Sequence, residues 1–113
     1  MTEEEYKQVI SDYGFSAIKV DLTSPGMFYV AYYGDTKNWQ NAFAFFDTED
    51  GEVTIYPKLY FEKSQGICIL SDKKLKTKDV NELRIVVKDL AEQYKNLLIV
   101  QKKEEIKKDF DNE

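Results

Sequence analysis

A chain of 113 residues falls in the size range of one domain and buries roughly two-thirds of its unfolded surface on folding, enough for a core without disulfides or metal and too little for two independent domains. With 42% hydrophobic, 33% charged and 14% aromatic residues, its composition is that of a globular protein and not of a disordered one. The net charge of −5 argues against an extended phosphate-binding surface, since nonspecific nucleic-acid affinity comes from clustered Lys and Arg, so no direct nucleic-acid partner is expected.

Cys68 is the only cysteine, which rules out an intrachain disulfide, and the stretch Met-Thr-Glu-Glu-Glu-Tyr has neither the basic nor the apolar region of a secretion signal. The longest apolar runs, 27–33 and 97–100, fall far short of the roughly 20 residues a membrane helix needs. No membrane partner is expected, and the cytoplasm is the expected address. Basic residues are almost all lysine, with Arg84 the single arginine, and Tyr, Phe, Ile and Asp are frequent; this bias toward AT-rich codons points to a low-GC bacterium or its mobile element.

Thr2 and Glu5 have capping-box spacing and predict a helix from about residue 3. Tyr6, Val9, Ile10 and Tyr13 then form one apolar stripe, which Gly14 is placed to stop. From Phe15 the period changes to two: Ile18, Val20 and Leu22 alternate with Ala17, Lys19 and Asp21, the pattern of a strand with one wet face. Pro25-Gly26 fits the centre of a type II turn. Met27 to Tyr33, apolar on both faces, reads as a central strand, followed by a loop over 34–38.

Trp39 to Phe46 reads as the next strand, with Phe43 and Phe45 on one face and Ala42, Ala44 and Phe46 on the other. Asp50-Gly51 marks a hairpin turn before Val53 and Ile55. Pro57 cannot donate a ladder hydrogen bond, so that strand should end, bulge or run along an edge there, with Leu59 and Phe61 as its possible continuation. Ile67 to Leu70 makes a last short strand, and Lys73 to Lys76 a basic connector. Thr77 is the expected N-cap of a long amphipathic helix with Asp79 in its first turn. Its stripe is Val80, Leu83, Val87, Leu90, Tyr94 and Leu97, widened by Ile85 and Val86.

The expected fold is therefore α+β: a mostly antiparallel, meander-like sheet of about five strands, with a short N-terminal helix and a long C-terminal helix packed on one face. Residues 1–100 make up the single domain, and 101–113 a charged helical extension or tail in which only Ile106 and Phe110 are apolar.

With no histidine in the chain, Ser-His-Asp and Cys-His catalysis and His-liganded zinc are excluded. Neither G-x-x-x-x-G-K-[ST] nor G-x-G-x-x-G occurs, so the usual phosphate-cradling loops are missing too. Cys68, between Ile67 and Ile69, reads as a small buried side chain. Asp47, Glu49, Asp50 and Glu52 do not meet the EF-hand pattern and read as a solvated hairpin tip. No spacing selects a catalytic carboxylate pair. The expectation is a protein that is not an enzyme and has no catalytic residues, cofactor or metal site.

The surplus of aromatics carries the positive reading. If Phe28, Val30 and Tyr32 face the helices, Tyr29 and Tyr33 point to the opposite face, where Trp39, Tyr56 and Tyr60 could join them in a patch of the kind protein interfaces enrich. Ile106 and Phe110, one helical turn apart, form a second candidate surface that could clamp a neighbouring chain. These residues suggest a noncatalytic protein-binding module, an adaptor, assembly factor or toxin or enzyme inhibitor, with an unidentified protein partner or a second copy as homodimer or other homo-oligomer. Two alternatives remain: an acidic inhibitor that imitates DNA to occupy a nuclease or other DNA-binding protein, and a small-molecule binder or carboxylate-dependent enzyme. No residue motif matches a known family.

Overall fold

The computed structural model describes residues 1–21 and 27–111, and the expected Pro25-Gly26 turn lies outside the described residues. In chain order the elements are α1 (Glu3–Asp12), β1 (Ser16–Asp21), β2 (Met27–Tyr32), a 3-10 turn at Trp39–Asn41, β3 (Ala42–Asp47), β4 (Val53–Ile55), β5 (Leu59–Glu62), β6 (Gly66–Ile69), β7 (Leu75–Thr77) and α2 (Val80–Asp111). The fold is α+β. An antiparallel five-stranded sheet of order β1-β2-β3-β4-β7 runs as a meander whose last strand is separated from the rest by the β5–β6 hairpin, and both helices cover one of its faces.

Each helix start has a local cause. The Thr2 hydroxyl accepts from the Glu5 amide at 3.2 Å while the Glu5 carboxylate accepts from the Thr2 amide at 2.8 Å, closing the capping box. At α2 the cap is Asp79, whose carboxylate accepts from the Asn81 amide at 2.8 Å, rather than Thr77. Thr77 ends β7, and its hydroxyl accepts from the Asp79 amide. The segment read as a basic connector thus supplies an edge strand, because Leu75 faces the core beside Ile55 while the lysines alternate outward. Along α2, Leu83, Val87 and Leu90 are buried as the heptad stripe requires, whereas Ile85 points into solvent.

Proline 57 divides the fourth expected strand in two. Leu59 and Phe61 do not continue β4; they pair with β6 in a separate two-stranded sheet held against α2. The Gln93 side chain of α2 anchors this hairpin, accepting from the Leu59 amide and donating to the Pro57 carbonyl, each at 2.9 Å.

The faces of the main sheet are opposite to those assumed from alternation. Tyr29, Ala31 and Tyr33 turn toward the helices, and Val30 and Tyr32 turn away with Val20 and Phe28. Cross-strand register explains the choice. Ala17, Ala31 and Ala44 lie side by side across β1, β2 and β3, making a shallow floor over which Tyr6 and Ile10 of α1 can approach. Tyr6 stacks on Phe46 with ring centroids 5.0 Å apart. On β3 a register shift opposite Ala31/Tyr32 sends Phe43 to the helix side along with Ala44, leaving Phe45 with Ala42 on the outer face.

Candidate functional site on the outer sheet face

The outer face is apolar: Val30, Tyr32 and Ala42 are buried in a small second cluster against which Val20, Phe28 and Phe45 pack, and among the described residues no helix lies on it. Ile18, Val30, Phe45 and Thr54 form one cross-strand row over β1 to β4, and Val20 with Phe28 forms the next. Val20, Phe28, Val30, Trp39, Phe45 and Thr54 line a hollow of about 400 Å3. An open strand face normally alternates apolar inward and polar outward; here both sides of β2 are apolar, and that surplus needs an occupant or an explanation.

Trp39 stands at the rim because of the loop before it. Asp35 accepts from the Lys37 amide at 2.9 Å, the Asn38 carboxamide oxygen accepts from the Gln40 amide at 3.0 Å, and the Asn41 amide donates back to the Asn38 carbonyl at 2.9 Å. The Asn38 cap turns 39–41 into a 3-10 turn where a strand start was expected. The indole is left 63% exposed, edge-on to Tyr32 at 6.2 Å between ring centroids. Tryptophan is among the residue types enriched at the hot spots of protein interfaces.

A second concavity adjoins the first, with Phe45 in both. It is a crevice of about 410 Å3 between the β5–β6 hairpin and the 3-10 turn, with Asn38, Gln40, Tyr56, Tyr60, Gln65 and Cys68 among its lining. Cys68 is half-buried, its sulfur 3.7 Å from the Gln65 carboxamide oxygen and 3.6 Å from the Gly66 carbonyl. Cys68 and, after it, partial burial hold the Tyr60 hydroxyl above its ordinary titration range. Among the described residues, no Asp, Glu, Lys or Arg lines either concavity, in a chain that is one-third charged.

No family model, curated protein or solved structure matches this chain.

Of the expected interface residues, the fold brings Trp39, Tyr56 and Tyr60 together around these concavities; the Tyr56 ring sits edge-on to Phe45 at 6.3 Å. Tyr29 and Tyr33, only 8% and 3% exposed, belong to the core instead. Tyr29 lies under Lys7 of α1, and the Tyr33 hydroxyl donates to the Ile67 carbonyl at 2.8 Å. Ile106 is exposed on α2, remote from the sheet face, and Phe110 falls near the end of the same helix with its side chain outside the described residues. The residues that alternation missed are Val20, Phe28, Val30 and Phe45; the clue to them was the alanine row, which marks the helix-covered face.

The acidic turn is occupied by its own backbone. Asp47 accepts from the Glu49 amide and Asp50 from the Glu52 amide, each at 2.9 Å. No group of three or more Cys, Asp or Glu side chains is placed to hold a metal ion among the described residues, and no helix there is long and apolar enough to cross a membrane.

Proposed function

We propose that this chain is a noncatalytic protein-binding module, an adaptor, assembly factor or inhibitor from a low-GC bacterium or its mobile element, and that it works through the outer face of its five-stranded sheet. One observation carries the reading: an apolar hollow in a strand face, rimmed by a tryptophan that a capped turn holds out to solvent. An enzyme of the carboxylate type would place acids in its concavity; these two have none among the described residues, and the acids that line other hollows, Glu4 with Glu5 and Glu104 with Glu105, lie away from Trp39 and the sheet face. A DNA mimic would display a dense track of acids, and a net charge of −5 with 16 basic residues beside 21 acidic ones is modest for that role.

The reading is tested by light scattering combined with acrylamide quenching of Trp39, the only tryptophan. A monomer whose Trp39 is freely quenched supports an open face for a foreign partner. A dimer that shields Trp39 and is lost in Trp39→Glu would make a second copy the occupant. A monomer in which Trp39 is shielded would mean that the hollow is closed by the chain itself, and the proposal would fail.

A further inference from the structure

The crevice beside the hollow borders the edge of β6 that faces away from β5, an edge already used at Ile67 and approached by the 3-10 turn. In the β5–β6 ladder the Leu70 amide donates to the Lys58 carbonyl at 2.9 Å, and the register pairs Leu59 with Ile69 and Tyr60 with Cys68. Antiparallel pairs alternate between hydrogen-bonded and non-hydrogen-bonded, so Tyr60 and Cys68 exchange main-chain bonds whereas Ile67 and Ile69 turn their main-chain groups away from β5. Two observed bonds agree with that alternation: the Leu59 amide, opposite Ile69, goes to Gln93 of α2, and the Ile67 carbonyl accepts from Tyr33. The outward main-chain N–H and C=O of Ile69 have no protein partner among the described residues. Ile69 lines the crevice together with Asn38 and Gln40 of the 3-10 turn region.

We propose that the crevice takes an extended, uncharged segment of a partner polypeptide, which adds alongside β6 at Ile69 and seats an apolar side chain in the Trp39 hollow. This rests on the protein-binding reading and names the chemistry of the partner. An extended peptide can use an open strand edge through its own main chain, with neighbouring pockets reading alternate side chains. The crevice wall suits a main chain in a second way: the carboxamides of Asn38, Gln40 and Gln65 each carry a donor and an acceptor, as a peptide group does. A charged segment would lose hydration there without meeting a countercharge. A second copy fits less well, since a two-fold contact brings the same recessed crevice against itself and neither edge can enter the other.

The probe is a phage-displayed library of random linear twelve-residue peptides selected on the immobilised full-length chain, with the strongest binders synthesised and titrated by Trp39 fluorescence. Selected peptides should be poor in Asp, Glu, Lys and Arg relative to the unselected library. On saturation, hydrogen exchange at the Ile69 amide should slow by about tenfold or more, while the already paired Cys68 amide changes little. The double variant Gln40→Glu/Gln65→Glu, which keeps the shape and adds charge to the lining, should weaken binding at least about fivefold with an unchanged thermal melt. Binders rich in charge, or fluorescence-detected binding without protection of Ile69, would overturn the peptide proposal and leave the sheet-face reading standing. Failure to enrich any sequence would also overturn it, while the Trp39 quenching experiment judges the broader reading separately.

Discussion

Gly51 shows how much one position in a short turn can carry. It adopts φ +69°, and a Cβ there would lie 2.8 Å from the main-chain oxygen of Met1, whose nitrogen donates to the Gly51 and Lys78 carbonyls. Gly51→Ala therefore meets both left-handed strain and a backbone clash, and should cost about 2 kcal/mol or more in urea unfolding. Gly14→Ala, at φ +83° with open space around it, should cost only about 1 kcal/mol. Equal losses would mean that the Met1 contact contributes nothing.

Tyr33 gives a pH signature. Burial, followed by Cys68, Tyr94 and Tyr60, pushes its hydroxyl up to about 12 from an ordinary 10.0. A raised folded value means that the neutral phenol stabilises the fold in full below pH 10; that contribution is then lost progressively as pH rises toward 12. Tyr33→Phe lacks the bond to Ile67 and should be about 1 kcal/mol less stable at neutral pH, with the gap to wild type narrowing above pH 10. Parallel stability curves across that range would contradict this account.

At the scale of elements, the β5–β6 hairpin is the part whose position depends most on a single side chain. A two-stranded hairpin is marginal by itself, and Gln93 ties it to α2 by satisfying the Leu59 amide and the Pro57 carbonyl together, while donating also to Asp89 at 2.7 Å. Gln93→Ala leaves two partly buried main-chain groups unpaired and should cost about 1–3 kcal/mol, with faster hydrogen exchange concentrated in 59–69. A uniform change across the domain would show that the hairpin does not open as a unit. The elements themselves were largely legible: the capping box gave α1, the heptad stripe gave α2, and Asp50-Gly51 gave the β3–β4 turn. Those misread were short. β7 hid because three residues between lysines carry too little pattern, and the Trp39 turn because its Asn38 cap outweighed the β propensity that follows it.

Across the whole molecule the two sheet faces have different jobs, and stability should separate them. Tyr29→Ala removes a buried ring from beneath α1 and should cost about 3–5 kcal/mol, whereas Trp39→Ala removes an exposed one and should shift stability by less than about 1 kcal/mol. A large loss at Trp39 would place it in the core and remove it from the interface proposal. α2 runs unbroken from Val80 to Asp111 along a molecule 55 Å in its longest extent, so of the two readings of the charged segment, helical extension or tail, its described backbone takes the helical one.

By itself the sequence determined the class of the fold, the two helices, most of the strands and the lack of any histidine-based chemistry. Those follow from local periodicity, capping and composition, which depend only on near neighbours along the chain. Which face of the sheet the helices cover was left to the tertiary structure, because β2 is apolar on both sides and alternation is blind to a choice between two apolar faces. The bulge that sends Phe43 inward and Phe45 outward was decided there too, since it arises from the pairing of two strands. Together these two features put Trp39, Phe45 and the edge of β6 around one uncharged surface, a juxtaposition that exists only between residues distant in the chain.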